Sequence, residues 1–483
     1  MMVITDLAPN LLWRHFDTIC RFPRPSRHES ALRDHIQAWA TARGLHAQLD
    51  KGGNLIIRKP ASEGMEDRQG VVLQGHLDMV AQKNASHSHD FMKDPIQTRI
   101  EAGWVHAEGT TLGADNGIGV AAALAMLESN LPHGPLEVLL TIDEESGMTG
   151  ARALEPGILQ GQLLLNLDTE EWGEVYVGCA GGVDISLSRK LSTEPLAAGF
   201  DVFEISLTGL VGGHSGVDIH LERGNAIRLL ARVINAACRD IEAKLVSFNG
   251  GTLRNALARE AFAKISVAAC DAPRLAEIVD SHQALFRDEL AGTDPHLSIA
   301  LKPSVADLVP VAAHARLALD MLLALPHGVR CWSKSLPGVV ETSNNLGVVS
   351  VDNGRFEAVL MVRSLKNIRM RELADAITAV GRLGGCLVEE EGEYPGWTPD
   401  LKSTALALIE NVYQQRYGEK PKVQVIHAGL ECGLLGAAYP KMDMVSFGPT
   451  IRGAHSPDER VEIASVASFW ELLVDTLAAV PKA

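Results

Sequence analysis

The sequence predicts an α/β fold in which a mixed central sheet is flanked by helices and interrupted by a large inserted α+β domain. Short apolar runs rich in β-branched residues alternate with amphipathic helical patterns to about residue 182, which favours a parallel or mixed sheet. The same alternation resumes near residue 397. Between these points the strand candidates follow a different rhythm, and none ends in a cluster of histidine and carboxylate side chains. The sequence therefore predicts one core in two parts with a separate domain between them.

Length and composition fit this organisation. The 483 residues are roughly three times a typical domain. The hydrophobic fraction of 46% and the charged fraction of 22% are those of an ordinary globular protein. We predict the first part of the core over residues 1–183, the inserted domain over 184–396 and the second part over 397–483. The acidic run and the Pro-Gly pair of EEEGEYPGW, residues 389–397, are expected to form the hinge that returns the chain to the core.

The first part of the core begins with two predicted helices, over residues 5–21 and 28–43. The second helix places Leu32, Ile36, Trp39 and Ala40 on one side. Four strand candidates follow, with a Gly-rich loop and an Ala/Leu-rich helix after the second of them. In chain order these segments are NLIIRKP, GVVLQGHLDMV, GTTLGADNGIGVAAALAML, VLLTIDEESG and LLLNLDTEE.

The insertion is predicted to contain two related groups of strands and helices. The first group contains the strand candidates FDVFEISLTGL, KLVSFNGG, AFAKISVAAC and HLSIALKP, with helical patterns over 224–241, 273–290 and 305–324. The second group contains VVETSNNLGVVSV, GRFEAVLMVRSL and a helix over 369–384. The core then resumes with a helix over 401–417, the segments KVQVIHAGLECGLL and MDMVSFGPTIRGAHSPDERVEI, and a final amphipathic helix over 463–479.

Charge and targeting signals exclude several classes of partner. Lys and Arg number 44 against 60 Asp and Glu, so the net charge is −16, which disfavours nucleic acid and other polyanions. The first residues include Asp6 and lack a long apolar region, and no run approaches the roughly 20 apolar residues of a membrane span. We therefore expect a cytoplasmic protein that binds neither nucleic acid nor membrane.

The cysteines fit a reducing compartment. There are seven of them without a CxxC pair, which is neither a disulfide framework nor a thiolate zinc site. Most are expected to be buried thiols.

Histidine and acidic side chains follow the ends of several predicted strands. His76 and Asp78 stand two residues apart, so a strand would place both on one side, and the aspartate could orient an imidazole that binds a metal. The other strand ends and the Gly-rich turn contribute Glu144, Glu145, Asp168, His455 and Asp115. Ligands of open α/β sheets bind outside the carboxyl ends of the strands, so these side chains are expected to converge. Each one alone is equally compatible with a helix cap or a solvated loop residue.

Seven ordered motifs together resemble a known enzyme family. They are QGHLDMV, TTLGADNGIG, TIDEESGMTGA, NLDTEE, GGHSG, HAGLECG and GPTIRGAHSPDE. The chain resembles the dinuclear zinc metallopeptidase family of carnosinases, bacterial dipeptidases and aminoacylases. Within this family the resemblance is strongest to the bacterial cytosolic aminoacyl-histidine dipeptidase group, also called peptidase D. The match runs nearly from end to end, and no metal position departs from the family pattern.

The resemblance implies a site for two divalent metal ions. Asp115 would bridge the two ions. His76 and Asp168 would complete one site, and Glu145 and His455 would complete the other. Two imidazoles and three carboxylates without thiolates suit Zn²⁺, with Co²⁺ or Mn²⁺ as alternatives, whereas Ca²⁺ prefers oxygen ligands alone. The resemblance also implies that the peptide bond after Asp115 is cis.

The resemblance further implies the catalytic roles. Glu144 would be the general base that forms a metal-bridging hydroxide and passes the proton to the leaving amine. Asp78 would hold the imidazole of His76. His214, in the GGHSG motif of the inserted domain, would donate a hydrogen bond to the developing oxyanion when this domain or a partner subunit closes over the site. From the residues alone, a histidine between glycines favours a tight turn over this catalytic role.

Three residues are candidates for substrate binding through the same resemblance. Arg363 in MVRSL would make a bidentate contact to the free C-terminal carboxylate of the substrate. Asn255 in GGTLRNALA would also hold the substrate, and Glu431 in HAGLECG would bind its free amine. Each of them could instead be a structural polar residue.

The predicted function is metal-dependent hydrolysis of unblocked dipeptides, including Xaa-His dipeptides such as β-alanyl-histidine. Two alternatives stay open. An N-acyl-amino-acid deacylase would use the same metals with a different pocket for the amine end, and a non-catalytic metal-binding scaffold would keep the fold alone. The expected partner is a small peptide substrate, and the inserted domain would act as a lid or as the surface of a homodimer.

Overall fold

The computed structural model describes residues 3–483. These residues divide into two compact units. The first contains the described residues through Gly178 together with Trp397–Val425 and Leu430–Ala483. The second contains Cys179–Gly396 and Ile426–Gly429. The role of the inserted segment as a lid or dimerisation domain stays a prediction.

The α-helices of the described residues are α1 (Asn10–Cys20), α2 (Ser30–Ala42), α3 (Ala114–Glu128), α4 (Glu144–Gly147), α5 (Thr149–Ala153), α6 (Ala226–Asp240), α7 (Ala272–Glu289), α8 (Ala312–Ala324), α9 (Asn367–Leu383), α10 (Thr404–Tyr417), α11 (Glu431–Ala438) and α12 (Ile463–Ala479). None of these helices combines the length and the apolar content needed to cross a bilayer.

The strands of the described residues are β1 (His46–Leu49), β2 (Leu55–Lys59), β3 (Val71–His76), β4 (Thr98–Glu101), β5 (Trp104–Ala107), β6 (Leu136–Thr141), β7 (Leu163–Asn166), β8 (Glu174–Cys179), β9 (Gly181–Lys190), β10 (Thr193–Pro195), β11 (Phe200–Thr208), β12 (Ala243–Gly250), β13 (Ala261–Ala268), β14 (Ser298–Ser304), β15 (Leu308–Pro310), β16 (Gly328–Trp332), β17 (Val340–Asp352), β18 (Arg355–Ser364), β19 (Leu387–Tyr394), β20 (Lys422–Ile426), β21 (Asp443–Ser446), β22 (Ile451–Arg452) and β23 (Arg460–Glu462).

An eight-stranded mixed sheet forms the centre of the first unit within the described residues, in the order β1-β2-β6-β3-β7-β21-β8-β20. β3 is parallel to both β6 and β7, β21 is parallel to β7, and β2 is antiparallel to β6. Every residue of β3, β6 and β7 is buried. Helices cover both faces of such strands, which explains why they read as continuous apolar runs rather than as alternating ones. The predicted α/β class is confirmed.

The Ala/Leu-rich helix α3 lies in the core of the first unit. Nearly all of its residues are buried, and it packs against α1 and β3. A helix that is apolar on all sides is expected in such a position. Its first turn therefore has a fixed place at the edge of the central sheet.

A small four-stranded sheet holds one further loop of the first unit. Within the described residues, its strand order is β22-β23-β5-β4. β22 and β23 pair antiparallel and enclose residues 453–459, and β23 also pairs with β5. Both ends of this loop are thus tied to a sheet.

The second unit is built on its own antiparallel sheet. Among the described strands the order is β14-β11-β13-β12-β17-β18-β9-β19, and β16 pairs with β17 outside this path. Helices α6 to α9 pack on this sheet, and their apolar residues form a core with those of the strands. The predicted α+β composition of the insertion is therefore present within this unit, but its two predicted groups of strands join in one sheet through the pairing of β12 with β17.

Three predicted elements are wrong in type or extent. Of the predicted hinge 389–397, residues 389–394 instead belong to β19, which pairs with β9, whereas the chain does return from the second unit to the first between Gly396 and Trp397. The acidic strand is tolerated because the Glu390 carboxylate accepts the Thr378 hydroxyl at 3.0 Å and pairs with Arg371 at 2.8 Å. The helix predicted from residue 305 begins only at α8, since Leu308–Pro310 form β15, which pairs with β10. The helix predicted from residue 5 begins at α1, directly after Pro9.

Candidate metal centre

The carboxyl ends of parallel strands bring histidine and carboxylate side chains to one edge of the central sheet. β3 ends at His76, and its parallel neighbours β6 and β7 end beside it. Asp78, Glu144, Glu145 and Asp168 follow these strand ends within a few residues. This is the edge of an open α/β sheet at which ligands bind.

Asp115 and His455 reach the same place from two loops. Asp115 lies at the start of α3, and the peptide bond that follows it is cis, as the resemblance implies. Gly113, two residues before Asp115, has a φ of 70°, a backbone conformation that glycine adopts more readily than other residues. His455 lies in the loop between β22 and β23. Residues far apart in the sequence therefore meet at one position of the first unit.

Each of the two imidazoles faces two carboxylates through its Nε2 atom. His76 Nε2 lies 3.1 Å from Asp115 Oδ1 and 3.2 Å from Asp168 Oδ1. His455 Nε2 lies 3.2 Å from Asp115 Oδ2 and 3.1 Å from Glu145 Oε2. The two oxygens of Asp115 thus face two different histidines.

These contacts fit a pair of divalent cations. Ligand atoms of His76, Asp115 and Asp168 lie within 4.8 Å of one another, and the same is true of Asp115, Glu145 and His455. Glu145 Oε1 is buried without a hydrogen-bond partner among residues 3–483. Zinc, cobalt and manganese accept a ligand set of imidazoles and carboxylates without thiolates.

Burial and close contacts between charged groups shift the pKa values of several side chains of the site. Burial raises the pKa of Asp168 to about 7 and raises the pKa of Glu144 well above its usual value. Hydrogen bonds with Asp115 and Glu145 raise the pKa of His455 to about 11. The ionised forms of these buried carboxylates are thus costly without a positive partner. Metal ligands must be deprotonated, so a cation would favour these ionised forms.

Asp78 supports two parts of the site at once. Its Oδ1 lies 3.3 Å from His76 Nδ1 and accepts the backbone N–H of Glu144 at 3.0 Å. Its Oδ2 accepts the backbone N–H of Glu145 at 3.1 Å and the Ser26 hydroxyl at 2.7 Å. Burial alone would raise the pKa of Asp78, but His76 and these donors lower it to about 2. Asp78 is therefore an ionised acceptor at neutral pH.

Glu144 differs from the other carboxylates of the site in its relation to the two histidines. Over residues 3–483, the ion pairs of His76 and His455 involve the other carboxylates of the site but not Glu144. One of its oxygens nevertheless lies within 4.8 Å of ligand atoms of His76 and Glu145. Glu144 thus borders the candidate metal position without taking part in the histidine pairs.

His214 lies in the second unit, where the backbone fixes the tautomer of its ring. The N–H groups of Gly216 and Val217 both donate to His214 Nδ1, each at 3.2 Å. A nitrogen that accepts hydrogen bonds carries no proton, so the neutral ring has its proton on Nε2. Burial and then Arg363 lower the pKa of His214, which favours this neutral form. The ring therefore offers Nε2–H as a hydrogen-bond donor.

Arg363 and Asn255, the other two candidates of the second unit, differ in their surroundings. Arg363 is 4% exposed, and it donates to the Tyr394 hydroxyl at 3.0 Å and to Ser215 Oγ at 3.5 Å. Asn255 is exposed, and its backbone carbonyl accepts the N–H of Ser215. The guanidinium is thus held in place, whereas the amide side chain of Asn255 faces solvent.

Sequence comparison identifies the family. Residues 72–479 match peptidase family M20/M25/M40. The chain belongs to peptidase family M20. This M20 peptidase is 47% identical over 483 residues, which are 100% of both chains, to the cytosol non-specific dipeptidase of Escherichia coli strain K12. The family resemblance is therefore confirmed.

Solved structures agree with the fold of this M20 peptidase. It is similar to the crystal structure of aminoacylhistidine dipeptidase from Vibrio alginolyticus, with a TM-score of 0.93 and 46% identity over 100% of this chain and 99% of that chain. It is also similar to aminopeptidase PepT from Bacillus cereus, with a TM-score of 0.55 and 17% identity over 98% of this chain and 99% of that chain. The second likeness supports the fold alone.

Glu431 of this M20 peptidase is buried against side chains of β3 and β6. It has no exposed surface, and its Oε2 accepts hydrogen bonds from Gln74 Nε2 and Thr141 Oγ1, each at 2.6 Å. Burial raises the pKa of Glu431 to about 7. Gln74 and Thr141 belong to β3 and β6, close to His76. Binding of the substrate amine by Glu431 stays a prediction, and its complete burial does not favour direct contact.

Two residues that contact the ligand-bearing loops were not predicted from the sequence. Glu459 accepts backbone N–H groups of the loop that leads to Asp115, and Arg24 donates to the carbonyl of Gly113 in that loop. Arg24 lies in FPRPS, which carries no motif of its own. For Glu459 a signal was available, since it ends the AHSPDE motif four residues after His455.

Proposed function

We propose that this M20 peptidase is a metal-dependent dipeptidase of the cytoplasm that hydrolyses unblocked dipeptides, including Xaa-His dipeptides such as β-alanyl-histidine. The two relatives of nearly full coverage are named a cytosol dipeptidase and an aminoacylhistidine dipeptidase, which supports the substrate class. The observation that carries the proposal is the pairing of His76 and His455 with opposite oxygens of Asp115. Assembly as a homodimer stays a prediction.

The five converging side chains would hold two metal ions, and Zn²⁺ is the ion that we propose. His76, Asp115 and Asp168 would hold one ion, and Asp115, Glu145 and His455 the other. When bound, such ions supply Lewis acidity at a carbonyl oxygen and a water acidic enough to attack at neutral pH. The protein's own groups must orient the ligands, move the proton and hold the substrate.

Asp78 and Glu144 would divide the work of orientation and proton transfer. Asp78 faces the Nδ1 side of His76, which directs Nε2 towards the metal position. Among the described ion pairs, Glu144 pairs with neither His76 nor His455, and Asp78 holds its backbone N–H. Its carboxylate would therefore take a proton from water and deliver it to the leaving amine. One carboxylate orients and the other transfers protons.

His214 and Arg363 would act on the substrate. The Nε2–H of His214 would stabilise the oxyanion that develops on the carbonyl, because its Nδ1 is already occupied as an acceptor. Arg363 is a buried cation whose guanidinium donates to two neutral hydroxyl groups, those of Tyr394 and Ser215. A buried charge is costly unless it is paired, so a substrate carboxylate is a suitable partner. Asn255 remains a proposed further contact to the substrate.

The proposal is tested with chelator-stripped protein reloaded with Zn²⁺, Co²⁺ or Mn²⁺. We expect no hydrolysis of β-alanyl-histidine before reloading and restored hydrolysis after it, together with calorimetric binding of two ions per chain. An N-acetylated dipeptide is the matched substrate, since it lacks only the free amine. Faster cleavage of the acetylated substrate would favour the deacylase alternative, and metal binding without cleavage of either would favour the scaffold.

A further inference from the structure

Glu459 is a buried carboxylate that collects the N–H groups of the loop before α3. It is 2% exposed. Its Oε2 accepts from the N–H of Leu112 at 2.8 Å and of Gly113 at 2.9 Å. Its Oε1 accepts from the N–H of Ala114 at 2.8 Å and of Asp115 at 3.3 Å. One side chain from the His455 loop therefore holds four consecutive backbone positions that end at Asp115.

The hydrogen-bond pattern requires both oxygens of Glu459 to be acceptors. Each oxygen faces two N–H donors, which matches an ionised carboxylate. A glutamine at this position would direct its NH₂ group at two of these donors. Glu459→Gln therefore preserves the size of the side chain but replaces one accepting oxygen by an NH₂ group, which repels the two backbone N–H donors that face it.

Arg24 holds the same loop from another segment of the first unit. It is 2% exposed and donates to the carbonyls of Leu77 at 2.9 Å, Asp78 at 2.8 Å and Gly113. Glu459 is among the charges that stabilise its guanidinium. The fit is close, because a Cβ on Gly113 would lie 2.4 Å from Arg24 Nη2. Arg24 thus joins the end of β3 to the loop, and Glu459 joins the loop to the segment that carries His455.

We propose that Arg24 and Glu459 form a buried clamp that positions Asp115 to bridge two metal ions. The inference rests on the proposed metal site and adds two positioning residues to it. Asp115 must present its two oxygens to two histidines at 3.1 and 3.2 Å, so a small shift of its backbone disturbs both contacts. The clamp fixes that backbone relative to the segments carrying His76 and His455.

The test measures metal binding in the full chain rather than activity alone. Wild type, Glu459→Gln, Glu459→Asp and Arg24→Met are stripped with a chelator and titrated with Zn²⁺ by calorimetry. Changes in the outer partners of metal ligands commonly weaken metal affinity about 10–100-fold, and we expect this loss for Glu459→Gln and Arg24→Met. Glu459→Asp retains the charge and two acceptor oxygens and should recover part of the affinity. The double variant should lose less than the product of the single losses, because either change releases the same loop.

The matched control is Asp458→Asn, an exposed neighbour in the same loop, which should bind Zn²⁺ like wild type. The absorption spectrum of the Co²⁺-loaded protein gives a second readout, because displacement of the bridging Asp115 changes this spectrum. If Glu459 and Arg24 had only a structural role, their variants would lower the melting temperature of the stripped protein and leave the spectrum unchanged. Wild-type affinity and an unchanged spectrum in Glu459→Gln would overturn the clamp. A wild-type protein that binds no metal would overturn the proposed function and the clamp with it.

Discussion

The carboxylate of Asp78 accepts the backbone N–H of Glu144 at 3.0 Å. Its other oxygen accepts the N–H of Glu145 at 3.1 Å, and its Oδ1 also lies 3.3 Å from His76 Nδ1. The residue expected to hold only an imidazole thus also fixes the turn that carries the next two carboxylates of the site. Any change at Asp78 should therefore affect both His76 and Glu144.

Asp78→Asn should lower metal affinity and turnover together. The NH₂ group of the amide would face the backbone N–H of either Glu144 or Glu145, where a carboxylate oxygen now accepts, and the negative charge beside His76 would be lost. Loss of such a partner commonly costs about 10–100-fold in metal affinity or activity. Metal titration and the rate at saturating metal measure the two effects. The matched control is Ser26→Ala, which removes one donor to Asp78 and leaves its other contacts intact, so it should have a much smaller effect.

Glu144→Gln should retain both metals and lose most of the turnover. Glutamine cannot take a proton from water, and general acid–base catalysis contributes about 10²–10⁴-fold to a rate. The loss should appear in kcat rather than in metal content, which elemental analysis measures. Glu145→Gln is the matched comparison, because Glu145 faces His455 at 3.1 Å and its change should release metal. A Glu144→Gln protein with two metals and near-normal kcat would remove Glu144 from the mechanism.

The meeting of the five predicted ligands could be expected from the sequence because it depends on general features of the fold. His76 and Asp168 follow parallel buried strands, whose carboxyl ends share one edge of a sheet. Asp115 follows a Gly-rich turn at the start of the Ala/Leu-rich helix α3, which packs against β3. For these residues the type of element is enough to indicate the place.

The supporting contacts could not be predicted because they depend on the direction of individual backbone groups. The N–H bonds that Asp78 and Glu459 accept require the exact course of two loops, which periodicity does not determine. Arg24 bonds only to carbonyl oxygens, which every residue has, so no partner motif signals it. The acidic strand β19 was missed for a related reason, since Arg371 and Thr378 offset its charge only in the folded chain.

His214→Asn should lower kcat by about 10²–10³-fold, the usual effect of removing one oxyanion donor. The amide oxygen of asparagine can replace Nδ1 as the acceptor for Gly216 and Val217, so the loop keeps its hydrogen bonds. The shorter side chain has no donor at the position of Nε2. Steady-state kinetics and metal content are measured together, and metal content should not change. A kcat close to wild type in a folded His214→Asn protein would contradict the oxyanion role.

His427 should make the protein less stable as the pH falls below neutrality. The residue is 8% exposed, and its Nε2 lies 2.8 Å from the Ser343 hydroxyl. Burial and then the nearby charge of Arg363 lower the pKa of His427 to about 3. In the unfolded chain the pKa is about 6.5, so between these values the unfolded state binds more protons. The contribution of neutral His427 is therefore complete above pH 6.5 and is lost at about 1.4 kcal/mol per pH unit as the pH falls towards 3.

His427→Gln isolates this effect, because glutamine keeps a polar partner for Ser343 but does not titrate. Urea unfolding of both proteins between pH 7 and pH 4, with chelator present so that metal release does not contribute, gives the free energy of unfolding of each. As the pH falls, the free energy of unfolding of wild type should decrease relative to that of the variant, because only wild-type His427 gains a proton on unfolding. A difference that is constant over this range would mean that His427 is already protonated in the folded protein or titrates normally there, and either result contradicts its buried, neutral state.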